Sequence, residues 1–401
     1  METARIGRRI AYWRERRAFT QDDFGRLMGQ TRRWVQSLEG GQRQQDPRLS
    51  VLVRAAEVLR IPLETLLTDG PAASPPATSP PTEALTVIDV LYRGTADAEP
   101  PPIGELRRRL TYCCEAFQAC HYTSLGRDLP GLVVAAQQAA TSTSGAEMHV
   151  LNSRVLQLAA SFLHKYGPAT AVQAAVVADR SLAAAQCSGD PVAIGAASRR
   201  VTKSLAYQGR PAAAVAFAVD AARTLHDELV AAGPAGLSTL GMLHLNAAIA
   251  AAAEERSTDA VRAATGHVDE AAEVADRQGA DLNEDWTAFG PTNVLMHRID
   301  VLARFEDGWS AIEVAEDLDA SALAGIARER RAQHLITMAH AQLLTRHKEP
   351  AAQALLEAER LAPEEVRGRR STRALVADLV GASPVPSGEL RRLAARCGIR
   401  A

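Results

Sequence analysis

Residues 20–41 read T-Q-D-D-F-G-R-L-M-G-Q-T-R-R-W-V-Q-S-L-E-G-G. Thr20 is a hydroxyl N-cap, and Gln21, Asp22 and Asp23 suit a first helical turn, where the positive end of the helix dipole favours carboxylates. Phe24, Leu27 and Met28 fall on one apolar face, and Gly25 leaves room for a close approach by another helix. Gly29 supplies the left-handed residue that a sharp stop requires, and Thr31 caps a second helix running to about Leu38. Val35 and Leu38 point inward. Arg32, Arg33, Gln36 and Ser37 then face outward, with Thr31 at the head of the same face.

That face carries the donors that read base edges in a major groove. Arginine bonds guanine O6 and N7 bidentately, and glutamine does the same for adenine N6 and N7. The alternative is a solvated charged face, against which the turn glycine, the cap and the apolar spacing all coincide. Gln21, Trp34 and Arg43 border the duplex backbone in this reading and are expected to contact phosphates or to pack.

Working outward, Ile6-Gly7, Ile10, Arg14, Phe19-Thr20-Gln21, Gly29, Thr31, Val35, Leu38-Glu39 and Gly41 resemble the Cro/C1-type (XRE family) helix-turn-helix domain over residues 5–69. Ile6, Ile10 and Trp13 match one face of its first helix; Leu49, Leu52, Ala55, Ala56 and Leu59 match its fourth. Residues 62–67 match the fifth. Two positions depart from the family: Gly25 replaces a usual alanine, and Gln30 a usual valine or isoleucine. The resemblance implies a five-helix lambda-repressor-like fold that binds double-stranded DNA at a pseudo-palindromic operator as a homodimer.

Charge is unevenly divided. Residues 1–70 hold 13 arginines, no lysine and nine carboxylates, whereas the remainder holds 32 basic against 38 acidic residues. Only the N-terminal part is net basic, as attraction to phosphates requires. With just three lysines in the chain, the usage is that of a high-GC bacterial genome. Cys113, Cys114, Cys120, Cys187 and Cys397 show no paired spacing, which fits a reduced cytoplasm and buried helix positions. A metal cluster at Cys113, Cys114 and Cys120-His121 lacks the required C-x-x-C spacing, so no metal is expected. Neither a signal core nor a stretch approaching ~20 apolar residues occurs, so no membrane is expected.

Residues 71–82, P-A-A-S-P-P-A-T-S-P-P-T, read as an extended spacer, and the linker is taken as 71–102. Residues 83–92 fit a short helix or a strand. From residue 103 to 401 the chain is a succession of alanine- and leucine-rich segments with helical periodicity, including 104–120, 129–141, 147–166, 191–208, 212–231, 291–304 and 322–346. The expected fold class is all-α.

Leu335, Met338-Ala339, Gln342, Ala351, Leu355, Ala358 and Pro363 resemble a tetratricopeptide unit, and Tyr207, Gly209, Ala214, Ala218 and Ala221 part of another. Repeated helix pairs imply an α-solenoid with a concave groove. The whole segment resembles the helical sensor domains that follow Cro/C1-type heads in regulators of high-GC Gram-positive bacteria, through G-R-D-L-P-G-L at 126–132, A-D-R-S at 178–181 and W-T-A-F-G-P-T-N-V-L-M-H at 286–297. That likeness implies a peptide or small-molecule effector.

Trp286, Asn293 and His297, with His244 and Asn246 one pair upstream and Asn152 and Arg154 earlier, are candidate pocket residues on one concave surface. The alternative makes Gly290-Pro291 an interhelix turn, capped by Thr292 or Asn293, with structural histidines. No phosphate loop, metalloprotease motif, nucleophile elbow or paired-carboxylate site occurs, so neither a catalytic constellation nor a cofactor is expected. A repressor without an inducer, and an interaction scaffold whose N-terminal part does not bind DNA, remain the rival readings.

Overall fold

The structure, a computed structural model, describes residues 3–17, 19–40, 47–61, 63–67, 80–92, 99–142, 145–383 and 386–399, and over these it is all-helical. Five helices come first: α1 (Thr3–Arg16), α2 (Gln21–Met28), α3 (Arg32–Glu39), α4 (Leu49–Leu59) and α5 (Leu63–Leu67). They share one apolar cluster built from Ile6, Ile10, Phe24, Val35, Leu38, Leu52, Ala55, Ala56, Leu59 and Leu66. Leu27, placed by spacing on the apolar face of α2, and Leu49, matched to the fourth helix of the family, are 46% and 62% exposed.

Next comes α6 (Thr82–Leu91), within the segment taken as linker. Its Ala84, Val87, Val90 and Leu91 are buried in the core of the helices that follow, and Arg180 donates to the Leu91 carbonyl at 2.8 Å. Residues 82–91 therefore belong to the packed array rather than to a spacer. Residues 71–79 lie outside the described ones.

The array continues with α7 (Ile103–Gln118), α8 (Tyr122–Ser142), α9 (Ala146–His164), α10 (Ala171–Ser188), α11 (Pro191–Tyr207), α12 (Pro211–Thr224), α13 (His226–Ala231), α14 (Gly233–Ala251) and α15 (Thr258–Gln278). It ends with α16 (Pro291–Arg304), α17 (Gly308–Ala315), α18 (Ala320–Gly325), α19 (Arg328–Leu344), α20 (Lys348–Leu361), α21 (Pro363–Gly368), α22 (Arg370–Ala382) and α23 (Gly388–Arg396). Neighbours pair as α9 with α10, α11 with α12, α14 with α15, α16 with α17 and α19 with α20, while α9, α11, α14, α16 and α19 also touch one another in succession as an inner row. Alanine fills much of the interface, which lets helix backbones approach closely.

Several boundaries differ from the periodicity reading. Periodicity starts a helix at 129, yet α8 starts at Tyr122 and carries Pro130 well inside it. Leu129 and Leu132 on either side are fully buried, so packing outweighs the local proline cost of about 3 kcal/mol. Leu225 separates α12 from α13, and Ile326 and Ala327 separate α18 from α19, where single helices are expected over 212–231 and 322–346.

The far ends of the array meet. The Tyr122 hydroxyl donates to Glu365 at 2.6 Å, and the Thr123 amide and hydroxyl donate to Glu364 at 2.8 and 3.0 Å. A connector between α15 and α16 also crosses to the first helices: Gln118 of α7 exchanges amide hydrogen bonds with Asn283 at 3.0 and 2.9 Å, and Arg154 of α9 pairs with Asp285. Phe289 anchors this connector so closely that a Cβ at Gly241 would lie 1.9 Å from its ring. Asp285, Trp286 and Ala288 all have positive φ, an uncommon backbone state for non-glycine residues.

Candidate nucleic-acid interface and interior polar groups

Reciprocal capping fixes the α2–α3 pair. Thr20 accepts from the Asp23 amide at 3.0 Å, and the Asp23 carboxylate accepts from the Thr20 amide at 3.2 Å. The hydrogen bond from Thr20 holds the Asp23 carboxyl below its usual range. Gly29 takes φ 67° and ψ 31°, its amide reaching the Arg26 carbonyl at 3.1 Å, and Thr31 caps α3 by accepting from the Trp34 amide at 3.2 Å. Gly25 permits a close approach by this turn rather than by another helix, since a Cβ there would sit 2.9 Å from the Gln30 carbonyl oxygen.

One carboxylate ties three elements behind the turn. Glu39, at the end of α3, accepts from Arg14 Nε at 2.5 Å and Nη2 at 3.0 Å, and from Gln21 Nε2 at 2.9 Å. Arg14 also donates to the Phe19 carbonyl at 2.9 Å, so one guanidinium joins α1, the residues before α2 and α3. Burial opposes the charge on Arg14, but Glu39 and Glu15 outweigh it and raise its pKa above the ordinary value. The sequence reading uses both residues only as matching family positions and misses their contact.

Arg32, Arg33 and Gln36 are exposed, and no hydrogen bond or ion pair engages the two guanidinium groups among the described residues. By contrast, Arg26 is held by Asp22 at 2.7 Å and by Asp23 at 3.2 Å. Thr31 is exposed, though its hydroxyl is used by the cap. Three other candidates sit differently from the sequence reading. The Ser37 hydroxyl is enclosed without a partner, so it does not belong to the outward face. Trp34 is partly buried against the core, and the Gln21 amide is engaged by Glu39. Arg43 lies outside the described residues.

Six of the seven candidate pocket residues divide among three places. Arg154 and Trp286 line one cavity of about 650 Å³ with Arg107 and Asp190. Asn246, Asn293 and His297 mark the inner row: Asn246 donates to the Arg199 carbonyl at 3.3 Å, Asn293 approaches Met242 Sδ at 3.5 Å, and His297 Nδ1 lies 2.8 Å from the Asn293 carbonyl. His244 stands apart, because two residues along a helix is about 200° of rotation from both Met242 and Asn246. The charges bearing on it come from His267 and His226, and burial lowers its pKa to about 4. His244 therefore does not share a concave surface with Asn246 and Asn293. Asn152 Oδ1 and Asn293 Oδ1 are enclosed and unpartnered.

Capping of α16 also differs from expectation, since Asp281 supplies it, accepting from the Thr292 amide at 3.0 Å and hydroxyl at 2.6 Å. Among the described residues no group of three or more His, Cys, Asp or Glu is placed to hold a metal. Burial raises the Cys113, Cys114 and Cys120 thiols to about 11, 12 and 12, keeping them protonated. No described helix is long and apolar enough to cross a membrane. No protein-family model matches the chain, and no curated protein matches it.

Proposed function

We propose that this chain is a sequence-specific DNA-binding transcriptional regulator. The observation that carries the reading is the exposed, unengaged Arg32-Arg33-Gln36 face on a capped helix, braced from behind by Arg14 and Glu39. Its first five helices are a lambda-repressor-like Cro/C1-type domain, with α3 in the major groove. The array from α6 onward is a tetratricopeptide-like solenoid that binds a peptide or small-molecule effector and mediates dimerisation, so that two copies of α3 meet a pseudo-palindromic operator. Enclosed, unpartnered groups such as Asn293 Oδ1 and Asn152 Oδ1 support an interior that accepts a ligand.

Salt-dependent binding of the full chain to genomic fragments, followed by mapping of the occupied sites, tests the proposal. A steep fall of affinity with salt and a shared operator among the fragments support it. Weak, salt-insensitive retention would overturn it in favour of an interaction scaffold.

A further inference from the structure

Six cationic side chains converge where the inner row meets the end of the array: Lys165 just after α9, Arg199, Arg200 and Lys203 of α11, Arg330 of α19, and Arg369 just before α22. Their mutual proximity shows in the charges each feels. Arg200 and Arg330 act on Arg199; Arg330 acts on Arg200; Arg369, Lys165 and Arg200 act on Lys203.

Two carboxylates answer them, and both are taken. Glu329 lies 2.5 Å from Lys165 Nζ and 3.5 Å from Arg330 Nε. Glu365 lies 3.1 Å from Lys165 and 2.9 Å from Arg369. No ion pair reaches Arg199, Arg200 or Lys203 among the described residues, and the Nε atoms of both arginines are enclosed without any hydrogen-bond partner. Arg199 is 4% exposed.

Like charges held together out of water without counter-charges are unfavourable, and a protein interior pairs such groups. Burial accordingly drives Lys203 and Arg199 well below their ordinary pKa values. The cluster is not sealed. Arg200 and Lys203 keep partial exposure, Arg330 is 28% exposed at its side chain, and the half-exposed Tyr207 borders the mouth. Lys203 Nζ lies 5.8 Å from the Tyr207 ring, which stacks on His164 at 5.3 Å.

We propose that Arg199, Arg200, Lys203 and Arg330 form a binding site for a small molecule bearing two phosphate groups. Six cations against two carboxylates leave a formal excess of four, whereas a peptide C-terminus offers a single negative charge. A terminal phosphate carries about −1.5 to −2 and the inner phosphate of a diphosphate about −1, so a diphosphate offsets most of the excess and accepts guanidinium donors bidentately. Duplex phosphates are excluded by the burial of Arg199. The site bears on what a regulator would sense but does not rest on DNA binding, because its readout needs no DNA.

The test is calorimetry and thermal unfolding of the full chain with inorganic pyrophosphate and with a nucleoside diphosphate, against sulfate at matched ionic strength. Saturable binding is expected for the diphosphate compounds, with a melting temperature that rises with their concentration and a much smaller response to sulfate. Arg200→Gln and Lys203→Met should each lose at least tenfold in affinity, while the ligand-free variants melt no lower than wild type because like-charge repulsion is relieved. Equal responses to sulfate would mean general anion screening and overturn the proposal. So would undiminished affinity in whichever variant folds, or variants that melt lower alongside a wild type that ignores pyrophosphate, the signature of a purely structural cluster.

Discussion

Arg17, just beyond α1, forms an ion pair with Asp378 in α22, 361 residues further along the chain. The same guanidinium donates from Nε to the Leu59 carbonyl at 2.9 Å, closing the end of α4. One side chain therefore both completes the N-terminal helices and docks them on the array. Burial pushes the Asp378 carboxyl above its ordinary value even though Arg17 and Arg16 pull it down. Desolvation wins, so the charged form of Asp378 is a net cost at neutral pH.

That sign predicts an asymmetry. Arg17→Ala leaves the carboxylate without its closest partner and should destabilise the chain by about 3–5 kcal/mol. Asp378→Asn keeps the shape and an acceptor for Arg17 while removing the desolvated charge, and should cost under about 1 kcal/mol. Urea unfolding of both variants checks this; equal losses would contradict it.

Glu39→Gln should be among the most damaging single changes in the N-terminal helices. It leaves Arg14, 5% exposed, without its main counter-charge and weakens the bracing of α3, at about 3–5 kcal/mol. Thermal unfolding with circular dichroism reads the loss, and a wild-type melting curve would show that Arg14 is satisfied by Phe19 and Glu15 alone.

Arg32→Ala and Arg33→Ala should leave that melting curve unchanged, because both residues are exposed. Each is expected to cost about 1–3 kcal/mol on a cognate operator and to relax preference at one base. Titration against cognate and scrambled duplexes separates the roles: equal weakening on both marks the residue as a phosphate contact.

Acid should weaken the array before the carboxylates titrate. Burial lowers His334, His340 and His244 to about 4. An unfolded histidine titrates near 6.5, so between these values the unfolded chain binds more protons and stability drops as the pH is lowered. The stabilisation is complete above about pH 6.5 and is lost as pH falls to about 4, at up to about 1.4 kcal/mol per pH unit for each histidine. Urea midpoints from pH 7 to 4 measure the slope; a flat profile to pH 5 would exclude it.

The sequence discloses what is local. The Thr20 cap, the Gly29 turn and the Thr31 cap each depend on residues within four positions, so their spacing alone carries them. Helix 191–207 is legible through Pro191 at its start and the apolar period after it. Contacts between distant segments leave no such trace. Arg14 and Glu39 are 25 positions apart, and Lys165 and Glu365 are 200 apart, with nothing in either neighbourhood announcing the other. Helix starts mislead for the same reason. Gly126 lies ahead of the helix expected from 129, yet it sits inside α8, and a Cβ there would meet Glu83 at 2.4 Å, so it serves the approach of α6. Arg199 and Arg200 look like ordinary surface arginines until α19 and α22 are placed around them.

The brevity of α3 sets a limit on vocabulary. Its eight residues measure ~12 Å, alongside a duplex that rises ~3.4 Å per base pair. In the proposed role, one copy spells a word of about four letters, which random sequence repeats roughly every 256 positions among millions of competitors. No single α3, however well braced, names a unique address. A regulator of this kind must write its address as two such words at a fixed interval, so whatever sets that interval edits the text.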